Sequence, residues 1–561
     1  MHKSITLNRT RAQESSSAIE RLYITMRHLF SRGFYKPMGV SGDALREALL
    51  LLRPEIYGSI ADEKVELNGL IYVIERLPEG IEECQFTNLT ADEGYSDSSF
   101  KVIIPPKRRR NCFRIDKDQM NIEVTRGRSE IYDILTHLTF LFIESHKIAN
   151  TVLINKDQDT IREWKRLEEI VVYNKNISVE EREVVMAHVG RILGRTFAEV
   201  LEAYNAFTTE KNPNRFLQII FWLGHLAINE RRNNQKRTIT FSPVLRERIG
   251  HHIYGDVWAT TIKKALFENN LIERPVHIIS ANMHSVMNSV YAPMVLKKEV
   301  KELKGVALFE MLSEAKNDSL RKQVKNFAAK NGLIYVKDTS GTNINVQIID
   351  TEKIDFSQTN YKFEHSNDEL KPVLIVMDYA FGEQAYETMD ELLKPYKTAD
   401  KKKCFMNIES VSIMGKAGIL EGGKGDIMIP NAHIFEGTAD NYPFKNQLKK
   451  SMFKDCGVDV VSGAMVTVLG TSLQNKDILK FFHRSTWKVI GLEMEGAHYQ
   501  KAIQAASRIR GNISKKVQVR YAYYASDNPL ETGSTLASGG LGTTGVLPTY
   551  VITEKILEQI F

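Results

Sequence analysis

An α/β layer structure, preceded by a helix-rich region of mixed α and β character, is the fold class this sequence predicts. Three observations carry the prediction. The apolar run Val373-Leu374-Ile375-Val376-Met377 reads as a buried strand opening a new unit. From there to the end, strand-like and helix-like stretches alternate, the pattern of a layered α/β domain whose ligand site gathers at strand ends. Before it, apolar residues recur mostly at helical spacing. A chain of 561 residues also exceeds one compact core, so two or three domains are expected.

Taken in order, Ile19 to Phe30 shows helical periodicity, and Ile131, Ile134, Leu135, Leu138, Leu141 and Phe142 form one amphipathic stripe. Leu70 to Ile74 and Lys101 to Ile104 read as strands. Val276 to Ser280 and Leu333 to Val336 are short apolar runs bounded by turn residues. The longest apolar run, Phe216 to Ile228, is interrupted by Gln218 and His225 and falls short of the ~20 apolar residues that span a bilayer. It reads as a buried helix. Asp350 to Leu370 is polar and charged, which places the main boundary there: residues 1–365, with a possible split near 240, and residues 366–561. Beyond it, Ala385, Met389, Leu392 and Leu393 share a helix face that Pro395 ends, Val411 to Met414 begins a strand, and Val517 to Ala525 is another.

Composition excludes several classes. The balance of 75 basic against 69 acidic residues gives +6, too small at this length to argue for nucleic acid or membrane partners. Cys84, Cys112, Cys404 and Cys456 show no C-x-x-C spacing, so no metal site or disulfide framework is indicated and a cytoplasmic setting is expected. The opening Met1-His2-Lys3-Ser4 lacks the apolar segment of a signal peptide. Lys107 to Arg110, and Arg231-Arg232 with Lys236-Arg237, read first as solvated loops and second as sites for a phosphate or nucleotide effector. His137, His146 and His225 lie in helical apolar patterns and read as core-edge histidines, while His277 and His284 flank a strand end.

Two acidic stretches carry chemistry. Gly491-Leu492-Glu493-Met494-Glu495-Gly496-Ala497 places Glu495 at a helix entrance, and Ser526-Asp527-Asn528-Pro529-Leu530 places Asp527 at a strand end. Taken alone, Asp527 reads as the cap of a turn before Pro529, and Glu495 as a helix N-terminal residue favoured by the dipole. Together they fit cleavage of a purine N-ribosidic bond, which needs an acid to protonate the departing base at N7 and a carboxylate beside the ribose as positive charge develops. Partial burial of Asp527 would raise its pKa toward that task. Glu495 would accept hydrogen bonds from the ribose hydroxyls.

This pair of motifs resembles the nucleoside phosphorylase and nucleosidase superfamily. Met414-Gly415-Lys416-Ala417-Gly418-Ile419-Leu420 and Gly425-Asp426-Ile427-Met428-Ile429 resemble the glycine turn and strand that precede those motifs. The resemblance runs over about residues 372 to 561 and implies an α/β/α domain with a central mixed sheet. Within the superfamily it is greatest to AMP nucleosidases, through Ser526 to Leu530 and Ser462-Gly463-Ala464-Met465-Val466-Thr467. It implies that Asp527 protonates the purine, that Glu495 and Met494 bind the ribose, that Met465 and Val466 line the base pocket, and that the protein is a homo-oligomer needing no cofactor. The first half matches nothing in that family's regulatory domain, and regulation or oligomer building is its expected role.

Hydrolysis is favoured over phosphorolysis. Phosphorylases of the superfamily place an Arg just before the glycine turn and a Ser or Thr within it, whereas these positions are Ile413 and Lys416. Lys416, beside the backbone of Gly415, is read as a point charge for a substrate phosphate or as an exposed loop lysine. Glu383, in the loop Asp378-Tyr379-Ala380-Phe381-Gly382-Glu383-Gln384, is the candidate that activates water, with Asp378 the alternative and helix capping the plainer role. Gly540 to Gly545 spells G-x-G-x-x-G, but no strand precedes it and Pro548 is expected to interrupt the stretch after it, so it is not a dinucleotide fingerprint. Thr532 to Gly545 is read as a surface loop or a lid. The expected substrate is a purine nucleotide or nucleoside, AMP first, yielding adenine and ribose 5-phosphate; a purine nucleoside phosphorylase and a non-catalytic nucleotide sensor are the alternatives.

Overall fold

The structure, a computed structural model, describes residues 10–154, 159–173, 178–297, 303, 305–363, 370–438, 440–531 and 541–561. The chain divides into two units. The first comprises residues 1–125, 130–250 and 472–478, and the second residues 126–129, 251–471 and 479–561. No described helix is long and apolar enough to cross a membrane.

The first unit is helix-rich around a six-stranded sheet, in the order Phe34–Tyr35, Thr238–Phe241, Phe86–Thr90, Gln119–Glu123, Cys112–Arg114, Val102–Ile103. Helices stand over Ile19 to Phe30, as its periodicity predicts, and over Phe216 to Ile228, as its long apolar run predicts. Leu67–Ile74 is a helix rather than the expected strand. Glu66 caps it by accepting the N–H groups of Asn68 and Gly69, and a short all-apolar run has no periodicity to separate the two forms. The basic clusters are not wholly solvated loops. Arg108 and Arg110 reach Asp133 at 2.8 and 2.9 Å, and the buried Arg237 reaches Glu230 at 2.7 Å.

Apart from residues 126–129, the second unit begins at His251, earlier than the boundary expected at 365 and close to the split expected near 240. Its helices are α1 (Ile253–Glu268), α2 (Met283–Val295), α3 (Val306–Ser313), α4 (Asp318–Lys330), α5 (Gln384–Leu392), α6 (Gly496–Gln504) and α7 (Val546–Glu558). The strands of its main sheet are β1 (Pro275–Ser280), β2 (Leu333–Val336), β3 (Val346–Asp350), β4 (Val373–Met377), β5 (Asn407–Ile419), β6 (Ile427–Phe435), β7 (Asn441–Pro443), β8 (Val460–Thr467), β9 (Gly491–Glu493) and β10 (Gln518–Asp527). They form one ten-stranded sheet in the order β2-β3-β4-β1-β5-β9-β8-β6-β7, with β10 bonded to both β5 and β6. The boundary moves because β1, β2 and β3 pair into the same sheet as β4, and strand pairing has no local signature in the polar stretch between β3 and β4.

The sheet is mixed and covered on both faces, the α/β/α arrangement the sequence predicts. Along β4, Val373, Ile375 and Met377 join the core built with α1, α5 and α6, while Leu374 and Val376 join the core built with α2, α3, α4 and α7. This period of two is why β4 is apolar throughout. Each fully buried Leu or Ile side chain contributes about 1.5–3 kcal/mol relative to exposure.

Three local readings change. Met414 to Ile419 is not a glycine turn but part of the 13-residue strand β5. Pro548 does not interrupt the helix after Gly545: it occupies the first turn of α7, where its missing N–H has no intrahelical partner to lose. Residues 532–540 of the expected surface loop or lid lie outside the described residues.

Candidate functional site

The register of β5 brings the two acidic motifs together. Gly418 pairs with Leu492 of β9 on one side and with Asp527 of β10 on the other. Glu495 follows Leu492 by three residues and serves as the N-cap of α6.

The turn before α6 is held by Glu493. Its carboxylate accepts the N–H groups of Glu495, at 2.6 Å, and of Gly496, and it also accepts the Thr467 hydroxyl. Thr467 Oγ1 in turn accepts the Ala497 N–H at 2.9 Å. These bonds satisfy the N–H groups of Glu495, Gly496 and Ala497 at the helix start. Burial, reinforced by the nearby Glu495 charge, pushes the Glu493 carboxyl up to about 8 despite these donors.

Glu495 Oε1 accepts the Gly382 N–H at 2.8 Å. Burial pushes its carboxyl up to about 7, while the backbone donors Gly382 and Met494 and the charge of Arg126 pull it down. Gly382 has φ +56, and a Cβ there would run into the Ser129 side chain. Met494 is buried, with its Cε 3.7 Å from that same Cβ position. The next amide, Glu383 N–H, donates to Ser129 Oγ at 2.8 Å, and the Glu383 carboxylate pairs with Arg128 at 3.2 Å. Arg126 lies over the Phe381 ring at 4.8 Å. The loop after β4 is therefore gripped by Glu495 on one side and by Arg126, Arg128 and Ser129 on the other.

Asp527 ends β10 and is fully buried. Its Oδ1 accepts the Ser526 hydroxyl at 2.5 Å, and Ser526 Oγ also lies 3.1 Å from the Ala417 carbonyl. Its Oδ2 has no hydrogen-bond partner among the described residues. Burial raises the Asp527 pKa, and the Ser526 hydroxyl, Lys416 and Lys424 oppose it. Lys416 is exposed on β5 one register step before the bulge at Ala417/Gly418. Gly415 faces the rings of Tyr379 and Tyr523, which a Cβ would meet at ordinary contact distances of 3.7 and 3.9 Å.

Met465 and Val466 of β8 are completely buried, Met465 in the core beneath α6. Asp378, at the start of the loop, accepts its neighbour's N–H, Tyr379, at 2.8 Å. His433 of β6 is buried beside Tyr523, at 3.3 Å from its hydroxyl, and burial pushes its imidazole down to about 3. His252, Asp390 and Glu391 offer ligand-type atoms within 4.8 Å of one another, but Lys394 at 2.6 Å and Arg510 at 2.7 Å already neutralise the carboxylates. Arg126, Arg128 and Ser129 belong to no motif legible in the sequence. Their local signal is Arg-Gly-Arg-Ser at the head of a helix, which has no meaning until the fold brings it to Gly382.

A family model matches residues 43–307 and 306–561. The chain belongs to DUF6909, a family of unknown function. No curated protein matches this DUF6909 chain. Solved structures similar to it include 5′-methylthioadenosine/S-adenosyl homocysteine nucleosidase of Campylobacter jejuni, at 12% identity over 51% of this chain and 99% of that one, with a TM-score of 0.30. A futalosine hydrolase mutant of Helicobacter pylori strain 26695 is similar at 10% identity, over 51% and 98% of the two chains, with a TM-score of 0.29. Uridine phosphorylase of Schistosoma mansoni in complex with thymidine is similar at 11% identity, over 53% and 91%, with a TM-score of 0.32.

Proposed function

We propose that this protein hydrolyses the N-glycosidic bond of a purine nucleotide, AMP first, to the free base and ribose 5-phosphate. The observation that carries the reading is Asp527: a fully buried carboxyl whose Oδ2 has no partner among the described residues and whose pKa burial raises. A carboxyl of that kind keeps its proton to a higher pH than an ordinary aspartate, which is the direction a general acid needs.

In this reading Asp527 protonates N7 as the base departs. Glu495 accepts the ribose hydroxyls and stabilises the developing oxocarbenium while its Oε1 holds the Gly382 N–H. Met494 packs against the ribose, and Ser526 orients Asp527 through their hydrogen bond. Met465 and Val466 support the base pocket from β8. Water is activated from the loop after β4, by Glu383 first and Asp378 second; the Arg128 ion pair at 3.2 Å has to loosen before Glu383 takes a proton.

The test is to incubate the purified protein with AMP, adenosine, inosine, ATP and methylthioadenosine, with and without phosphate, and to chromatograph for free base. Adenine from AMP in the absence of phosphate is the expected result. Strict dependence on phosphate would make the protein a phosphorylase, and no base from any substrate would sink the reading.

A further inference from the structure

The segment Gly127-Arg128-Ser129 crosses the start of α5 between two buried carboxyls. On one side Ser129 Oγ accepts the Glu383 N–H at 2.8 Å. On the other, a Cβ on Gly127 would stand 3.3 Å from Glu387 Oε2 and 3.4 Å from Gln384 Cβ, so the backbone lies against α5, with Gly127 at φ +75. Arg128 therefore leaves the chain between Glu383 and Glu387. These two follow each other one turn apart, the Glu387 N–H donating to the Glu383 carbonyl at 3.3 Å.

Only one of the two carboxyls has the arginine. Arg128 Nη1 lies 3.2 Å from Glu383 Oε1, and Glu383 is the one carboxylate it pairs with among the described residues. Glu387 is 3% exposed, has no ion pair among the described residues, and its buried Oε1 has no hydrogen-bond partner there. The charges that act on it are Glu383, Arg128 and Glu391. The other charged groups around α5 are engaged elsewhere. Lys394 pairs with Glu391 at 2.6 Å and Arg510 with Asp390 at 2.7 Å. From α1, Lys263 Nζ donates to the Glu391 carbonyl at 2.9 Å, and His252 stands 3.9 Å from the Glu391 carboxylate, on which Asp256 also acts. From α6, Lys501 lies over the Tyr386 ring at 5.3 Å. A buried carboxylate without a partner is costly, so Glu387 rests protonated. Two carboxyls thus divide one cation and one proton between them.

We propose that Glu387 is a positioning residue for the base Glu383: it takes over Arg128 when Glu383 accepts the proton of the attacking water. The inference rests on the proposed function, with Glu383 as the base. In the step, an O–H bond of water breaks and its proton goes to Glu383. Glu387 gives its own proton to solvent, and the Arg128 charge passes from the Glu383 carboxylate to the Glu387 carboxylate. The pair holds one carboxylate and one proton beside one cation before and after, so no unpaired charge is left buried. Without Glu387 the arginine has no second partner, and a carboxylate held by a cation is a weak base.

The experiment has two arms on the full-length protein. The first measures kcat and KM on AMP for wild type, Glu387→Gln, Glu387→Asp and Glu387→Gln/Arg128→Gln. Glu387→Gln is expected to lower kcat by about 10- to 100-fold with KM little changed, a part of what a general base contributes. Glu387→Asp keeps a carboxyl and should lose less. Adding Arg128→Gln releases Glu383 and should raise kcat of Glu387→Gln by about tenfold, a repair that a merely structural Glu387 does not allow. The second arm follows the side-chain carboxyl NMR shift of Glu387 against pH. Glu383→Gln hands Arg128 to Glu387 and should lower its titration midpoint by about one pH unit or more, and adding Arg128→Gln should raise it again. No recovery of kcat in the first double variant, or a Glu387 midpoint that Arg128→Gln leaves unmoved in the second, overturns the proposal. If wild type releases no base from any substrate, the nucleosidase reading fails by itself and the titration still decides whether Arg128 reaches Glu387.

Discussion

Glu495 and Gly382, 113 residues apart in sequence, meet through a 2.8 Å hydrogen bond from the Gly382 N–H to Glu495 Oε1. The bond couples the turn before α6 to the loop after β4. A glutamine in place of Glu495 keeps an oxygen for the Gly382 amide but loses the negative charge. Glu495→Gln is therefore expected to fold with an unchanged circular dichroism spectrum while kcat on AMP falls by about 100-fold or more, the usual effect of removing one electrostatic stabiliser. Turnover close to wild type would remove Glu495 from the ribose.

Asp527 has to be protonated to act as the acid. Its pKa is raised by burial, so the active form is present at low pH and is lost as pH rises through the folded-state pKa. The kcat profile on AMP should show a falling alkaline limb that disappears in Asp527→Asn, together with a loss of about 100- to 10,000-fold in kcat. Calorimetric binding of AMP should persist in that variant. An alkaline limb that survives the substitution would assign the acid elsewhere.

Gly382 is required by space and by backbone conformation. Gly382→Ala puts a Cβ against Ser129 at φ +56, a region an alanine adopts at a cost of roughly 1–2 kcal/mol. Activity is expected to drop sharply with little change in thermal midpoint, because the displaced segment is a loop. Adding Ser129→Gly removes the obstructing side chain and should recover part of the lost kcat/KM. No recovery in the double variant would mean that the backbone conformation, and not Ser129, dominates.

Glu387 of α5 is buried beside Glu383, and burial pushes its carboxyl up to about 8. An acid whose folded pKa exceeds its unfolded value stabilises the fold at low pH, and that contribution is lost as pH rises through the folded pKa. For Glu387 the window runs from about pH 4.5, the ordinary glutamate value, to about pH 8. Wild type should therefore lose thermal midpoint across this window, and Glu387→Gln should lose less. Parallel melting curves at pH 5 and pH 8.5 decide it; equal losses would show that the carboxyl ionises freely.

Much of the second unit was legible from local pattern. The apolar run at Val373 to Met377, the helix ended before Pro395 and the strand ending in Asp527 stand where their residues predict, because periodicity and turn chemistry act over a few residues. Leu67–Ile74 was not legible, since a short apolar run lacks the period that separates helix from strand. The boundary expected at 365 also failed to hold in the structure. The polar stretch after β3 looks like a linker, yet β3 is hydrogen-bonded to β4 along its whole length.

The amino-acid sequence by itself determined the layered α/β class and singled out Glu495 and Asp527 as the candidate carboxylates, because strand ends, helix entrances and acidic residue types are local properties. Only the tertiary structure decided that Gly418 stands between Leu492 and Asp527, that Lys416 lies in a strand rather than a turn, and that Arg126, Arg128 and Ser129 reach the loop after β4. Those facts depend on strand register and on hydrogen bonds between segments more than a hundred residues apart. Such contacts follow from the packing of the whole unit, and no short stretch of sequence encodes them.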